Sequence, residues 1–527
     1  MSPAHEPIPD TVEIRSTPRV PVTSSDLGID VDIEHDGPPR HRLVTIGDSL
    51  THGFQSGAIF NTDLSYPAII AHELGWAEFR YPRYPGYGGI PLNLELLVRN
   101  IAERFGAEVS PWELPAALFH LRHHLAQAEE WWDSGPGAAL PPRGPINHNL
   151  GIYGWDLRDA LSRHADNAAA EHRTRAGFQV VPLVRNADRI AAGRVLDSAR
   201  TPGGLPMTPL EAACALSHEG TPEDPDGDGI ETLIVLLGAN NALGSVIGLE
   251  VHWSKAKFDD LQVKAAYNVW QPPHFAEEWA QVVTALRRVR ARHVLIGTVP
   301  HVTIAPVARG IGDKVRKGSR YFEYYVRPWV DEQSFDPDDD AHLTADEARA
   351  IDSAIDAYND TIVASVAAAR EDGLDWRITE IGAGLDRLAS RRYLDDPDVD
   401  RPEWLTDYPL PPTLAGLTPV PDSRFFASDE TGLTRGGLFS LDGIHATTVA
   451  YGLMAQEFID TMQEAGVVFC RRDGLTPRTD KVEVDFDRLL ALDTLVGRPP
   501  ESLSDAVDWI GWVDQRVDVL KRLWAGV

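Results

Sequence analysis

The sequence predicts an α/β fold whose parallel strands end in loops that carry chemistry. Two stretches predict it. From Leu43 the chain runs apolar and β-branched (Leu43, Val44, Ile46), which reads as a short buried strand. It then breaks into Gly47-Asp48-Ser49, the composition of a tight turn. Ser65 to Gly75 follows and reads as a helix with Gly75 at its C-terminal end. A strand, a turn carrying one serine and a helix expose a nucleophile at the carboxyl end of a parallel sheet. The second stretch, Thr232-Leu233-Ile234-Val235-Leu236-Leu237, is the clearest buried parallel strand in the chain.

Composition narrows the partners. The chain has 527 residues, 43% hydrophobic and 24% charged, an ordinary globular balance with enough length for a sizeable core. Its formal charge of -30 argues against nucleic acid and anionic membrane surfaces, which need a basic footprint. Cys214 and Cys470 stand too far apart to suggest a disulfide framework or a zinc pattern. The first residues lack a basic start followed by an apolar run, and no window is long and apolar enough for a membrane helix. The expectation is a cytoplasmic protein without a transmembrane segment, with export by an unconventional route left open. Oligomeric state is not written in the sequence.

Taken in order, residues 1–40 are rich in Pro, Ser, Thr and Asp and read as a poorly ordered or surface-draped tail. After the first strand and helix, Tyr81 to Ile90 is a Tyr/Pro/Gly loop whose tyrosines either face a substrate or pack the loop down. Ser110 and Glu113 have capping-box spacing, with Pro111 between them. Leu114, Ala117, Leu118, Leu121 and Leu125 then recur on one helical face. His120 and His124 lie four apart on that helix, but no Glu follows His120 and no third ligand is evident, so no metal is expected. The Pro/Gly-rich run from Gly135 to Pro145 ends this segment. Ile146 to Gly154 reads as a second strand, and Trp155 to Leu161 as the start of a helix.

Residues 186–230 read as a polar connection. Within it Asp224, Asp226 and Asp228 alternate as in a calcium loop, but the twelfth position is Val235, so an acidic turn is the simpler reading. The strand from Thr232 ends in Gly238-Ala239-Asn240-Asn241. Next come Val251-His252-Trp253 and Asn268 to His274, an aromatic segment that either walls a pocket or packs as core. Phe275 to Arg292 reads as a helix and His293 to Pro300 as a further strand. Asp336, Asp338, Asp340 and Glu347 match a calcium-loop pattern, but Ala341 replaces the needed Gly. Thr344 and Glu347 are better explained as a capping box for a helix reaching Arg370. Trp376 to Ile381 is a last strand, and 383–437 is Pro-rich and mostly irregular. Leu441-Asp442-Gly443-Ile444-His445 precedes a helix through Tyr451 and Phe458. The tail from Asp480 ends in an amphipathic helix through Val507, Ile510, Val513, Val517, Leu520 and Trp524, suited to packing on the body or to a dimer.

Four of these islands, in this order, resemble the sequence blocks of the GDSL, or SGNH, hydrolases. Gly47-Asp48-Ser49-Leu50 with Thr51 and Gly53 resembles the first block, and Asn149-Leu150-Gly151-Ile152-Tyr153-Gly154 the second. Gly238-Ala239-Asn240-Asn241 resembles the third, Gly-x-Asn-Asp, with Asn241 in place of the Asp. Asp442-Gly443-Ile444-His445 resembles the last, Asp-x-x-His. The resemblance spans about 42 to 460 but rests on these islands alone. It implies a three-layer α/β/α fold with a mostly parallel, flavodoxin-like sheet. A domain over 41–470 would carry insertions at 76–145, 165–230 and 301–437, with 471–527 as a C-terminal helical extension. It further implies a catalytic triad of Ser49, Asp442 and His445. The oxyanion hole would come from the N–H groups of Ser49 and Gly154 and the amide of Asn240. No metal or organic cofactor is called for. The expected activity is cleavage of small-molecule, lipid or sugar esters through an acyl-enzyme. Acyltransferase, carbohydrate O-deacetylase and a non-catalytic binding protein retaining the fold are the alternatives.

Overall fold

The computed structural model describes residues 6–32, 39–106, 112–170, 184, 186–220 and 229–500. It has a central sheet of four parallel strands: β1 (His41–Gly47), β2 (Ile230–Leu236), β3 (Ala291–Gly297) and β4 (Trp376–Thr379), hydrogen-bonded in that order. Register is fixed by pairs such as Ile46↔Val235 and Val235↔Ile296, and β2 is buried along its whole length. That burial accounts for its unbroken apolar sequence, since a strand covered on both faces has no polar side to present.

The expected second strand at 146–154 is shorter than predicted. It is an extended segment joined to β1 by one parallel bridge, Thr45↔Asn149. Leu150 donates to Thr45 O at 2.8 Å and Ile152 to Gly47 O at 3.1 Å. The segment lies on the edge of β1 away from β2. Gly151 makes this approach possible: a Cβ there would meet the backbone N of His52 at 2.8 Å. β3 and β4 end at Gly297 and Thr379, before the expected Pro300 and Ile381. Pro300 has no N–H to offer a ladder, and Ile381 opens a helix, Ile381–Arg387.

Helices flank the sheet. α1 (Tyr66–Glu73) packs against α4 (Thr448–Glu464), and α2 (Pro272–Leu286) against α3 (Ala345–Glu371). α1 ends before Gly75, which takes a positive φ of 69°. α3 begins at the Thr344/Glu347 capping box, so Glu347 is used as a cap and not as the twelfth ligand of a calcium loop. The helix Leu114–Asp133 buries Ala117, Leu121 and Leu125, as their spacing predicts.

Residues 6–32 are draped on the body and held to it, the second of the two readings of this tail. Arg19 pairs with Glu380 at 2.5 Å, Ile378 of β4 donates to Ser25 O at 2.9 Å, and Arg370 Nε reaches Ile29 O at 2.9 Å. The connection 186–230 contains two helices, Ala187–Leu196 and Pro209–Leu216. The second starts at a Thr208/Glu211 capping box with Pro209 at the first helical position, a signature present in the sequence. The Asp224–Asp228 turn, Ser110 with Pro111, and the C-terminal amphipathic helix lie outside the described residues.

Candidate active site

The carboxyl ends of the four strands converge on one apolar cavity of about 130 Å³. Every strand exit contributes to its lining: Asp48-Ser49-Leu50 after β1, Ala239 and Leu243 after β2, Pro300-His301-Val302 after β3, and Ile381 with Leu385 after β4. This is where open parallel sheets bind ligands. The remaining wall comes from Leu388, Leu438, Phe439, Ile444, His445, Leu453 and Met454, with Tyr408 and Glu457 among the lining.

Ser49 opens a short helical turn, Ser49–His52, and Asp48 caps it by accepting the Leu50 N–H at 3.0 Å. Gly47 is required beneath this turn: a Cβ there would come within 2.7 Å of Leu236 O and closer still to Thr51 Oγ1. Asp48 is buried, and burial raises its pKa to about 6 against the opposing pull of the Leu50 amide and of His445. Ser49 and His445 both line the cavity.

His445 sits on the loop that leads into α4. Its Nδ1 lies 2.9 Å from Asp442 Oδ2, and its ring packs on Phe54 with centroids 4.4 Å apart. The carboxylate is saturated with donors. Oδ1 accepts from the N–H groups of Ile444 and His445, both at 2.9 Å, and from Ser440 Oγ at 3.3 Å. Oδ2 also accepts from the Gly57 N–H at 2.9 Å. Burial pushes the Asp442 pKa up. His445 and these hydrogen bonds outweigh it, so the carboxyl lies below its ordinary value. An ionised carboxylate only accepts, so Nδ1 of His445 carries a proton and Nε2 is the basic nitrogen of the neutral ring. Gly443 inside this loop has φ +68°, and a Cβ on it would meet the backbone N of Val307 at 2.9 Å and Phe425 at 2.8 Å.

Gly154 and Asn240 lie beside each other, outside the apolar lining. Gly154 has φ +73°. It comes two residues after Ile152, which bonds to Gly47, while Ser49 comes two residues after Gly47, so both leave adjacent parallel segments at the same end. Asn240 Nδ2 donates to Trp155 O at 2.9 Å, using one of its two hydrogens. Asn241 is fully buried, and its Oδ1 accepts from the Leu157 N–H at 3.3 Å. The departure from Asp thus falls where an acceptor oxygen braces the turn at 154–157, and an amide supplies that oxygen too.

His52 has a role that sequence reasoning does not assign. It is buried. Nδ1 accepts the Tyr153 N–H at 3.2 Å, so Nε2 carries the proton and donates to Tyr84 Oη at 2.8 Å. Burial lowers its pKa to about 3. His52 is therefore a neutral brace between the serine turn and the Gly154 turn, and Tyr84 packs the loop down. Its place three residues after Ser49 was the available signal. Trp253 and Trp270 are fully buried and do not line the cavity, so the aromatic segment after β2 is core. His124 lies near Asn100 and Tyr87. Among the described residues no group of three or more His, Cys, Asp or Glu is placed to hold a metal. No helix among them is long and apolar enough to cross a membrane.

No family model matches the chain, and neither does any curated protein.

Proposed function

We propose that this chain is a serine ester hydrolase of the GDSL/SGNH type, acting on carboxylic esters with an apolar acyl group. The observation that carries the reading is that His445, paired through Nδ1 with Asp442, lines one apolar cavity together with Ser49 at the carboxyl ends of the strands. The fold class we assign with it is a three-layer α/β/α arrangement, α1 and α4 on one face and α2 and α3 on the other. The 148–152 segment beside β1 supplies the flavodoxin-like strand order.

In this reading Ser49 Oγ attacks the ester carbonyl while its proton passes to His445 Nε2. Asp442 holds the ring in the required tautomer and stabilises the imidazolium. The Ser49 N–H, which opens its helical turn and so has no acceptor within it, points with Gly154 and the second Asn240 hydrogen to the oxyanion. Collapse expels the alcohol, which takes the proton from His445. Water, deprotonated by the same nitrogen, then cleaves the acyl-enzyme and regenerates Ser49. The mostly aliphatic lining suits an acyl chain more than a sugar and supports lipid-like esters over carbohydrate acetates in this reading.

The test is hydrolysis of a chain-length series of chromogenic acyl esters by the wild-type chain and by Ser49→Ala. Wild type is expected to turn over, and the variant to lose about 10⁴–10⁶-fold in kcat. A chain that is inert on every ester and is not labelled by a fluorophosphonate would sink the hydrolase reading in favour of a binding protein. Labelling with little hydrolysis but with transfer to added alcohols would point to an acyltransferase.

A further inference from the structure

A second recess backs onto the catalytic loop and has the opposite character. Its volume is about 230 Å³, and Arg309, Arg391, Arg392, Arg424 and Arg435 line it together with the rings of Phe322, Tyr325 and Phe425. The segment 302–308 is the partition. Val302 and Ala305 line the apolar cavity, while Thr303, Ile304, Pro306 and Ala308 line the recess. The Val307 N–H donates to Gly443 O at 3.0 Å, tying the partition to the Asp442–His445 loop.

Five guanidiniums around one opening are unexpected in a chain of net charge -30. The carboxylates nearby cover them only in part. Arg392 is buried and paired with Asp352 at 2.9 Å. Arg309 holds Glu332 at 2.7 Å, and Arg424 is held by Asp422 through both Nε, at 2.8 Å, and Nη2, with Asp395 3.9 Å from Nη1. Arg391 stands 3.9 Å from Glu332, already taken by Arg309. Arg435 bonds Phe425 O through Nε at 3.2 Å and makes no ion pair among the described residues. The crowding is felt: burial first, and then Arg309, lower the pKa of Arg391, while burial, Arg424 and Arg309 lower that of Arg435. A bound anion would relieve this repulsion. Planar guanidinium forks fit phosphate oxygens two at a time, and several forks around one opening favour a dianion. The volume lies below the ~300–1,000 Å³ of drug-sized pockets, so it suits a phosphate on a small organic group.

We propose that this recess binds a phosphate monoester. Arg391 and Arg435 hold the phosphate, with Arg424 beside them held by Asp422, and Phe322 and Phe425 face the small organic part. The inference does not depend on Ser49 being a nucleophile. It is tested by calorimetric titration of the full chain with glycerol 3-phosphate in low-chloride buffer. In parallel, cosedimentation is measured with phosphatidylcholine vesicles with and without phosphatidic acid. The expected result is one saturable site, weakened about tenfold or more by Arg435→Ala and by Arg391→Ala. Ser49→Ala should bind as wild type does. Arg435→Lys should also bind more weakly, because an ammonium cannot offer the fork. Arg435 is exposed, so its variants are expected to keep the wild-type melting temperature, which is measured alongside. Binding only to the phosphatidic acid vesicles, with the same arginine dependence, supports the site and assigns the phosphate to a lipid headgroup. No saturable binding in either arm, or binding indifferent to both alanine variants, overturns it.

Discussion

Two histidines line the same apolar cavity, and they differ in how many carboxylates they face. His445 meets one carboxylate, Asp442, through Nδ1. His301 lies between two, with Nδ1 2.9 Å from Asp386 and Nε2 3.2 Å from Asp356. Burial works against charge on His301, but Asp386, Asp352 and Asp356 outweigh it and raise its pKa to about 10. It is a fixed cation at neutral pH, with both ring nitrogens donating, and a cation cannot serve as a base. His52, with no carboxylate against its ring, falls at the other extreme, at about 3. The number of carboxylates on a buried imidazole therefore separates the neutral brace His52 from the structural cation His301, and His445, with one, has surroundings between the two.

The largest expected effect comes from disturbing the single carboxylate. Asp442→Asn would present an amide that lets His445 adopt the wrong tautomer, and kcat on a good ester substrate is expected to fall about 10⁴-fold. A fall of under tenfold would break the comparison. Next comes the structural cation. His301→Gln leaves Asp356 and Asp386 buried without their counter-charge and is expected to cost about 3–5 kcal/mol of stability in urea unfolding near neutral pH. The pH dependence has a definite sign. The folded pKa of His301 is raised from 6.5 to about 10, so its contribution is full below about pH 6.5 and is lost as pH rises through 10. Wild type should therefore lose stability between those values, and His301→Gln should show a flatter profile over the same range. The smallest effect is the most direct. Asp386→Asn leaves His301 facing one carboxylate fewer, and an NMR titration of the ring should find its pKa lowered by roughly 1–3 pH units. An unmoved value would show that Asp352 and Asp356 alone fix the charge.

What could be read from the sequence follows how local each feature is. β1, the Ser49 turn and α1 lie within some thirty residues, and the apolar runs of β1 and β2 mark themselves by composition. Asp442 and His445 are three apart on one loop, so their pairing is local as well. The helix Pro209–Leu216 carries a capping box in Thr208 and Glu211, but the polarity around it outweighs the cap as a signal. His301 could not have been singled out, since its partners Asp356 and Asp386 lie far along the chain. The arginine recess draws on position 309 and on 391, 424 and 435, the last three in the stretch 383–437 that reads as irregular and the first separated from them by α3 and β4. Charges that meet only through tertiary packing leave no spacing to recognise.

The N-terminal segment has a consequence for the edge of the central sheet. β4 is the outermost strand of the central sheet, and an outermost strand offers unpaired backbone groups to any passing chain. Here Ser25 O already occupies the Ile378 N–H, and Arg377 Nη1 reaches Ser25 Oγ at 3.2 Å. Residues that form no strand of their own thus occupy the seam where a foreign strand would otherwise add on. A stretch of sequence that looks dispensable serves as the selvedge of the sheet, keeping its border from becoming a template for aggregation.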